Sequence, residues 1–510
     1  MSDNKQIAKN ASLLYIRTVI TTLIGIYTSR VILQALGIID YGLYSVIGSI
    51  IGFISFINAS MSGATSRFIA YELGRGDEIR LHKTFNATMQ VHIGIAFVIV
   101  LLSESIGLWY LNNKLNIPEN RMFAAQWVYQ FSILSTIIGI TQVPYTACMI
   151  AHERFNVFAY LDMFNAFAKL GILYLVIISP YDKLIFYIIL MFMISCISCI
   201  YARHYCIRHF NEAHFKFLFD KQCMKEIVSF SYYNILGNMG VTINTHGTNL
   251  IINHFYGVAL NASTGIATTC SGCINSFSHN IMSVMRPVIT KNYAKNNIEG
   301  FQYYLIWAIK AILIAYALLA VPFYFSINEI LDIWLINPPP YTNVLCQVLL
   351  ISIYFETLRY IITIGIHATG MVMIVSRYNC ILFLFNILIV YFILSLKVSP
   401  ALIYVSLIFI NLILSMIDIT LLNRYVKELK TSQLYIAIGQ VTSAILITGY
   451  LTYLFRSELS DNPLIRIGCI FIFSMILLCL AAYLLCLNKQ QRTQLKSFLK
   501  NTYISKWKKS

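Results

Sequence analysis

Charged residues are scarce in this chain. They make up 11% of its 510 residues, whereas 58% of the residues are hydrophobic and the mean hydropathy is +0.70. Soluble domains carry about a quarter charged residues, so this composition excludes a water-soluble globular protein. The chain also lacks a GxxxxGK[ST] loop, which excludes a nucleotide-driven motor of that type. The composition predicts an integral membrane protein.

Apolar stretches long enough to cross a hydrocarbon core of about 30 Å recur along the whole chain. We predict fourteen transmembrane helices, at 11–33, 41–64, 85–110, 122–148, 157–179, 184–203, 227–255, 262–285, 301–326, 342–366, 374–396, 401–423, 433–455 and 464–487. The first stretch carries Arg17 and lacks a small-residue cleavage site, so we expect a retained helix rather than a secretory signal. The predicted fold class is an all-α, polytopic membrane protein.

Basic residues are distributed unevenly between the two sides of these spans. Those on the side of the termini are chiefly Arg67, Arg75, Arg80, Lys83, Arg203, Arg208, Lys216, Lys221, Lys225, Arg286, Lys291, Lys295, Arg424, Lys427 and Lys430. The opposite side holds few, chiefly Lys114, Arg121, Lys183, Lys397, Arg456 and Arg466. The positive-inside rule therefore predicts that both termini are cytoplasmic. The net charge of +16 then reflects topology and does not indicate a nucleic-acid partner.

The twelve cysteines fall mostly inside apolar helices, and the short external segments hold none that could pair. The CxxC spacings of Cys196 with Cys199 and of Cys270 with Cys273 lie within such helices. Packing explains them better than metal or redox chemistry does. We predict no disulfide framework, no metal site and no cofactor.

The two halves of the chain share a sequence pattern. Residues 29–37 recur in kind at 248–257, and residues 66–77 recur at 285–297. Chance similarity between apolar helices is the alternative explanation. Six helices is an even number, so a true repeat would be parallel and would favour alternating access. We predict two pseudo-symmetric six-helix lobes at 1–210 and 211–430, an extra two-helix hairpin at 431–487, and a basic cytoplasmic tail at 488–510 that lies on anionic lipid.

Polar side chains concentrate in the first, seventh and eighth predicted helices. Unpaired polar groups in hydrocarbon each cost on the order of a few kcal/mol, so these helices must face water, a substrate or one another. We predict that they border a cavity. The candidates in the seventh and eighth helices are Asn244, His246, Asn249 and Asn275. Pairing between helices explains many of these residues equally well.

Cations inside the predicted spans indicate the charge of the cavity. Arg17 has no carboxylate within a helical turn, so we predict an unpaired, functional arginine. Lys169 and Lys310 are further intramembrane cations, and Arg67 and Arg286 lie at the predicted cytoplasmic rim. An electropositive cavity of this kind suits phosphate groups. The predicted cargo is anionic.

Carboxylates inside the spans are candidates for ion coupling. Glu356 lies three residues before Arg359 on one helix, so a structural ion pair is as well supported as a coupling site. Asp418 is the second candidate. Either carboxylate could bind a coupling proton or a sodium ion.

Three segments resemble a known family. The run 30–37, RVILQALG, followed by 40–44, DYGLY, is similar to the first hairpin of bacterial polysaccharide flippases in the multidrug, oligosaccharidyl-lipid and polysaccharide exporter superfamily. The run 67–76, RFIAYELGRG, is similar to the segment after the second helix of these flippases, and 261–267, NASTGIA, to the start of their eighth helix. Many such flippases have twelve helices, so the last two helices here depart from the simplest pattern, and a total of fourteen helices resembles the lipid II flippases.

The resemblance implies a two-lobed flippase of the bacterial cytoplasmic (inner) membrane. Its cargo would be undecaprenyl-diphosphate-linked oligosaccharide units, moved to the outer leaflet for O-antigen, capsule or exopolysaccharide synthesis. Polysaccharide polymerase machinery would be a further partner.

Two rival functions remain open. A cation-coupled drug or small-molecule antiporter would share the fold. A membrane glycosyltransferase or polymerase would need catalytic groups on a sizeable external loop, whereas the longest external segment, 326–341, carries only Glu329 and Asp332. We therefore predict a transporter and not an enzyme.

Overall fold

The computed structural model describes residues 2–217, 220–335, 337–459, 462–488 and 492. Helices dominate this part of the chain, and it contains no β-strand. The α-helices are α1 Ser2–Ile54, α2 Phe56–Arg75, α3 Glu78–Leu102, α4 Leu108–Asn113, α5 Met122–Ala151, α6 Phe155–Ile178, α7 Lys183–His209, α8 Lys221–Thr242, α9 Thr248–Tyr256, α10 Val258–Ala294, α11 Ile298–Phe325, α12 Ile327–Leu335, α13 Thr342–Ala368, α14 Val372–Ser395, α15 Leu402–Tyr425, α16 Thr431–Arg456 and α17 Pro463–Leu485. Each of the fourteen predicted helices is helical, and the all-α fold class is confirmed. The basic tail predicted at 488–510 lies outside the described residues, apart from Asn488 and Arg492.

The first two predicted helices are joined within α1. Gly37 interrupts its helical geometry with φ 80° and ψ 173°. A residue with a Cβ rarely adopts this conformation, and glycine does so at little cost. The chain resumes a helix after Gly37 and continues, past a second break at Ser55, into α2.

Eleven helical stretches in the described part of the chain are long and apolar enough to cross a membrane. The prediction was fourteen. The difference of three arises because one long stretch, Arg17–Ile54, covers the first two predicted spans and because α8 and α10 are rich in Ser, Thr, Asn and Gly, which lowers their hydropathy. These two helices are 22 and 37 residues long, so they fall short in apolar character and not in length.

The chain forms two compact units. The first comprises Met1–Thr269, Pro338–Thr342 and Met373–Ser406, and the second comprises Cys270–Asn337, Asn343–Val372 and Leu407–Ser510. In the first unit α1 packs along α6 and α5 packs along α7. In the second unit α16 and α17 pack on each other and on α11. The homology of the two sequence halves stays a prediction.

Each unit has its own apolar core. In the first, Leu43 and Ile47 of α1 meet Tyr129 of α5 and Leu184 of α7, and all four side chains are fully buried. In the second, buried residues of α11 pack against Leu478 of α17. The predicted C-terminal hairpin is therefore part of the packed second unit through its contact with α11.

Two π-helical turns interrupt otherwise continuous helices, at Ser103–Gly107 and Ile243–Gly247. The first has a local cause, because the buried Tyr129 hydroxyl donates a hydrogen bond to the Ser103 carbonyl at 2.7 Å and fills the space beside Gly107. The second lies between α8 and α9. Such π-bulges are frequent at functional sites, and this one contains the candidate residues Asn244 and His246.

An arginine joins three helix ends in the first unit. Arg121, before α5, donates to both oxygens of Asp40 at 2.6 and 2.7 Å and to Asp182, the N-cap residue of α7, at 2.5 Å. Burial alone would raise the pKa of the Asp182 carboxyl. Hydrogen bonds from Arg121 and from the backbone N–H groups of Ile185 and Leu184 nevertheless bring the pKa below its ordinary value.

We expect Arg121→Leu to destabilise the protein by about 2 kcal/mol at neutral pH, because two partly buried carboxylates lose their shared partner. Thermal unfolding of the detergent-solubilised protein measures this, with the exposed Arg154→Leu as the matched control. The folded-state pKa of Asp182 is depressed, so its contribution is present above the ordinary value of 3.8 and is lost as pH falls through the lower folded-state pKa. The two variants should therefore converge in strong acid, and equal melting at neutral pH would contradict the prediction.

Candidate functional site

Arg17 contacts a neighbouring helix of the first unit. Its guanidinium forms an ion pair with Asp162 of α6 and lies 4.6 Å from the ring centroid of Phe158. The prediction of an unpaired Arg17 is therefore wrong. A search for carboxylates within one helical turn cannot find a partner on another helix. The two charged side chains are 26% and 29% exposed, so the pair is only partly removed from solvent.

Lys169 is a second membrane-embedded cation, and it lies on the same face of α6 as Asp162. It follows Asp162 by seven residues, or two helical turns. The hydroxyls of Tyr27 and Tyr174 lie 3.0 Å apart, so residues 17–27 of α1 run beside residues 162–174 of α6. Lys169 lies within this stretch and is half-buried. Among the described residues no hydrogen bond or ion pair engages its ammonium.

The charges at the α1–α6 contact do not cancel. Arg17 and Lys169 are opposed by Asp162, which leaves a local excess of one positive charge. The polar stripe of α1 lies beside them, and the hydroxyl of Thr21 donates to the Arg17 carbonyl at 2.9 Å. A positive charge in a region of reduced dielectric attracts anions more strongly than the same charge in water does.

The asparagines around the second π-turn pair with other helices of the first unit. Asn386 of α14 donates to Oδ1 of Asn244 at 2.7 Å, and the two residues are 0% and 6% exposed. Asn249 donates to the Ser49 hydroxyl at 2.6 Å, and its Oδ1 accepts from Asn261 at 2.6 Å. Asn244 and Asn249 therefore pair with polar groups of other helices, which is one of the two explanations that the sequence left open. Their amides hold α8 and α9 against α1, α10 and α14.

The α9–α10 corner belongs to the same network. Only Gly257 separates the two helices, with φ 72° and ψ −174°. Across it, Asn253 donates to Oδ1 of Asn261 at 3.0 Å, and both side chains are fully buried. The backbone N–H of Asn116 donates to Oδ1 of Asn253 at 2.8 Å. The polar groups that the turn exposes are thus bonded inside the unit.

His246 lies against α1 at Gly52. Its ring occupies the space that a Cβ at Gly52 would fill. A larger residue at position 52 would have to displace the imidazole. The absence of a side chain at Gly52 therefore makes room for the imidazole.

The candidates in the second unit form one face of α10. Asn275, His279 and Arg286 are spaced four and seven residues apart and share a helical face. The exposed Arg286 donates to the Tyr360 hydroxyl at 3.4 Å, and the rings of Tyr360 and His279 lie 5.4 Å apart. Among the described residues Oδ1 of Asn275 has no hydrogen-bond partner. This face offers one cation and one amide oxygen.

The two coupling candidates differ in exposure. Asp418 of α15 is fully buried and accepts a hydrogen bond from the Thr363 hydroxyl at 2.9 Å, whereas Glu356 of α13 is exposed. Both carboxylates act electrostatically on Arg359, which is 8% exposed. Asp418 therefore lies in the drier environment of the two.

The remaining cations lie elsewhere. Lys310 of α11 donates to the Cys486 carbonyl at 2.7 Å, at the C-terminal end of α17, where a cation complements the helix dipole. It lies at the α11–α17 contact and not on the α10 face. Arg67 is exposed near the end of α2 in the first unit.

Three partners of the candidate residues were not predicted from the sequence: Asp162, Ser49 and Asn386. A signal was available for Asn386, because an amide in the apolar middle of α14 requires a partner in the membrane. The sequence could not say which partner.

No protein-family model and no curated protein matches the chain. Solved structures do. The chain is similar to the inward closed conformation of the lipid II flippase MurJ, with a TM-score of 0.72 and 15% identity over 92% of this chain and 98% of that chain. It is also similar to an inward-facing multidrug resistance MATE transporter of the MOP superfamily, with a TM-score of 0.65 and 11% identity over 81% of this chain and 95% of that chain.

A third solved structure is a MOP superfamily transporter from Pyrococcus furiosus that is described as having a binding pocket of reverse polarity. The TM-score is 0.59 and the identity 12%, over 83% of this chain and 96% of that chain. Identities this low establish the fold alone. The chain has the polytopic helical fold of the flippase and transporters of this superfamily.

Proposed function

We propose that this chain is a flippase that carries an anionic, lipid-linked oligosaccharide between membrane leaflets by alternating access. The uncompensated positive charge at the α1–α6 contact carries the proposal. The fold similarity supports it, since the match to the lipid II flippase covers 92% of the chain and the matches to the two other transporters 81% and 83%. The flippase match thus covers about a tenth more of this chain than the other two matches do, and the C-terminal hairpin at 431–487 is also about a tenth of the chain.

The cations define how a diphosphate would bind. Lys169 has donors to spare, so its ammonium would contact one phosphate. The second phosphate would compete with Asp162 for the Arg17 guanidinium, whose planar fork suits phosphate as well as carboxylate. When cargo is absent, Asp162 relieves the cost of an unpaired arginine in the membrane.

Other candidates serve the rest of the cargo. Arg286, beside Tyr360, would attract phosphate at the predicted cytoplasmic rim, and Arg67 would do the same in the first unit. Asn275 has a buried amide oxygen that lacks a partner among the described residues and would accept from a sugar hydroxyl. The prenyl tail would remain in lipid. The proposed direction is from the inner to the outer leaflet of a bacterial inner membrane, in support of O-antigen, capsule or exopolysaccharide synthesis.

Proteoliposomes test this function. Purified full-length protein should move fluorescently labelled undecaprenyl-diphosphate oligosaccharide from the protected to the accessible leaflet, and protein-free vesicles should not. Failure to translocate would sink the proposal. The similarity to MATE transporters makes an antiporter of soluble cations the second candidate, and accumulation of a cationic dye in the same vesicles would favour it. A polymerase would lengthen the glycan without moving it.

Asp418 is the proposed site for a coupling proton or sodium ion. We expect Asp418→Asn to abolish the dependence of transport on either gradient, because the amide keeps the size of the side chain and an oxygen for Thr363 but cannot take up a cation as a carboxylate does. Transport rates with and without imposed gradients measure this. The exposed Asp332→Asn is the charge-matched control, and Glu356→Gln examines the second candidate. Unchanged gradient dependence in Asp418→Asn would remove the role.

A further inference from the structure

A polar cavity of about 450 Å³ lies in the second unit, away from the α10 face. It is bounded by the first turns of α11, the segment between α15 and α16, and the residue Asn488 beyond α17. Its polar lining consists of Glu299, Gln302, Lys310, Glu428, Lys430 and Gln433. The volume is in the range of small-ligand pockets, which is about 300 to 1,000 Å³.

The base of the cavity is held by hydrogen bonds. Gln302 is 8% exposed, donates to Oε1 of Gln433 at 2.6 Å and accepts from the backbone N–H of Lys430 at 3.0 Å. Lys310 is fixed on the Cys486 carbonyl at 2.7 Å, and that bond uses one of its three donors. The cavity is therefore a preformed site with donors available.

The ionisable lining is balanced in sign. Lys310 and Lys430 supply two ammonium groups, and Glu299 and Glu428 supply two carboxylates. A purely anionic ligand would meet the carboxylates, and a purely cationic ligand would meet the ammonium groups. Both kinds of group are satisfied by a ligand that carries one charge of each sign.

Aromatic side chains mark the outer side of the cavity. Tyr303 and Trp307 also line it, one helical turn apart on α11, and they are 50% and 39% exposed. Tyrosine and tryptophan concentrate at membrane–water interfaces, where an apolar ring and a polar tip are both accommodated. The helix that carries them is long and apolar enough to cross a membrane. The cavity thus opens where lipid headgroups lie.

We propose that this cavity binds the headgroup of a zwitterionic phospholipid, a phosphate diester that carries a primary ammonium. Lys310 and Lys430 contact the phosphate, Glu299 and Glu428 accept from the ammonium, and Tyr303 and Trp307 border the glycerol and the first chain carbons. The site is independent of the proposed cargo path, and it gives Lys310 a role outside that path.

Native mass spectrometry of the full-length protein tests the site. The probe is an equimolar mixture of phosphatidylethanolamine and phosphatidylglycerol. Wild-type protein should retain phosphatidylethanolamine preferentially, and the double variant Glu299→Gln/Glu428→Gln should lose about fivefold of that preference, because two partly exposed charged contacts are removed. The double variant Glu119→Gln/Glu458→Gln removes the same charge from exposed positions elsewhere and should retain the preference.

Three results of the experiment with the lipid mixture would overturn the proposal. They are no preference in the wild type, a preference for phosphatidylglycerol, and an unchanged preference in Glu299→Gln/Glu428→Gln. Water-soluble phosphoethanolamine should compete poorly with the lipid. Equal competition would assign the site to a soluble zwitterion and would contradict a lipid site.

Discussion

Lys169→Met is expected to reduce translocation of the lipid-linked oligosaccharide by about tenfold or more. The substitution removes the ammonium proposed to meet a phosphate, and loss of one charge-assisted hydrogen bond costs about 1.5 to 3 kcal/mol, or about tenfold to a hundredfold. Initial rates in proteoliposomes measure the effect. Stability should be unchanged or higher, because a half-buried ammonium without a described partner is replaced by an apolar side chain of similar length.

One further variant at position 169 separates charge from shape, and one variant on α7 serves as a control. Lys169→Arg keeps the charge and should retain most of the rate, and Lys183→Met removes a lysine from the exposed start of α7 and should have no effect. If Lys169→Met transported at the wild-type rate, the cation mechanism would fail, although translocation itself would stand. If the arginine variant were as inactive as the methionine variant, shape and not charge would explain the result.

Gly42→Val is expected to destabilise the fold by about 3 kcal/mol, the upper part of the usual range for overpacking. A Cβ at this position would meet the carbonyl group of Val258 and would lie 3.3 Å from the backbone nitrogen of Ala262. These are backbone atoms at the start of α10, so no rotamer change can relieve the contact. The two helices would have to move apart.

Gly48 offers a control six residues along the same helix. A Cβ there would meet nothing within 4 Å, so Gly48→Val makes the same change in helix propensity without the collision. Thermal unfolding in detergent, followed by circular dichroism, compares the two variants. Equal melting temperatures would show that α10 can shift to admit the side chain.

The helices were predictable because apolar length and turn residues are local properties. All fourteen predicted segments are helical, although the first two are joined within α1 and the second continues past Ser55 into α2. The π-turn at Ile243–Gly247 and the joining of two spans through Gly37 were not predicted. Both depend on the backbone conformation of a few residues, which hydropathy does not encode.

The candidate site was predictable only in part, because partners on other helices are not visible in a single sequence. Arg17 is separated from Asp162 by 145 residues, and no spacing rule connects them. For Asn249 the sequence left pairing and cavity lining open, and packing decided the question. Lys169 and Lys310 were both predicted as intramembrane lysines. In the structure Lys310 donates to the carbonyl at the end of α17, whereas Lys169 has no partner among the described residues.

The α9–α10 corner limits where this molecule can bend. A one-glycine connection would ordinarily be a convenient hinge. Here hydrogen bonds among Asn253, Asn261 and the backbone of Asn116 hold the connection in place, and bending would separate fully buried amides from their partners at a cost. We therefore expect α9 and the first turns of α10 to move together as one rigid body. Any conformational cycle has to take its flexibility from other parts of the chain.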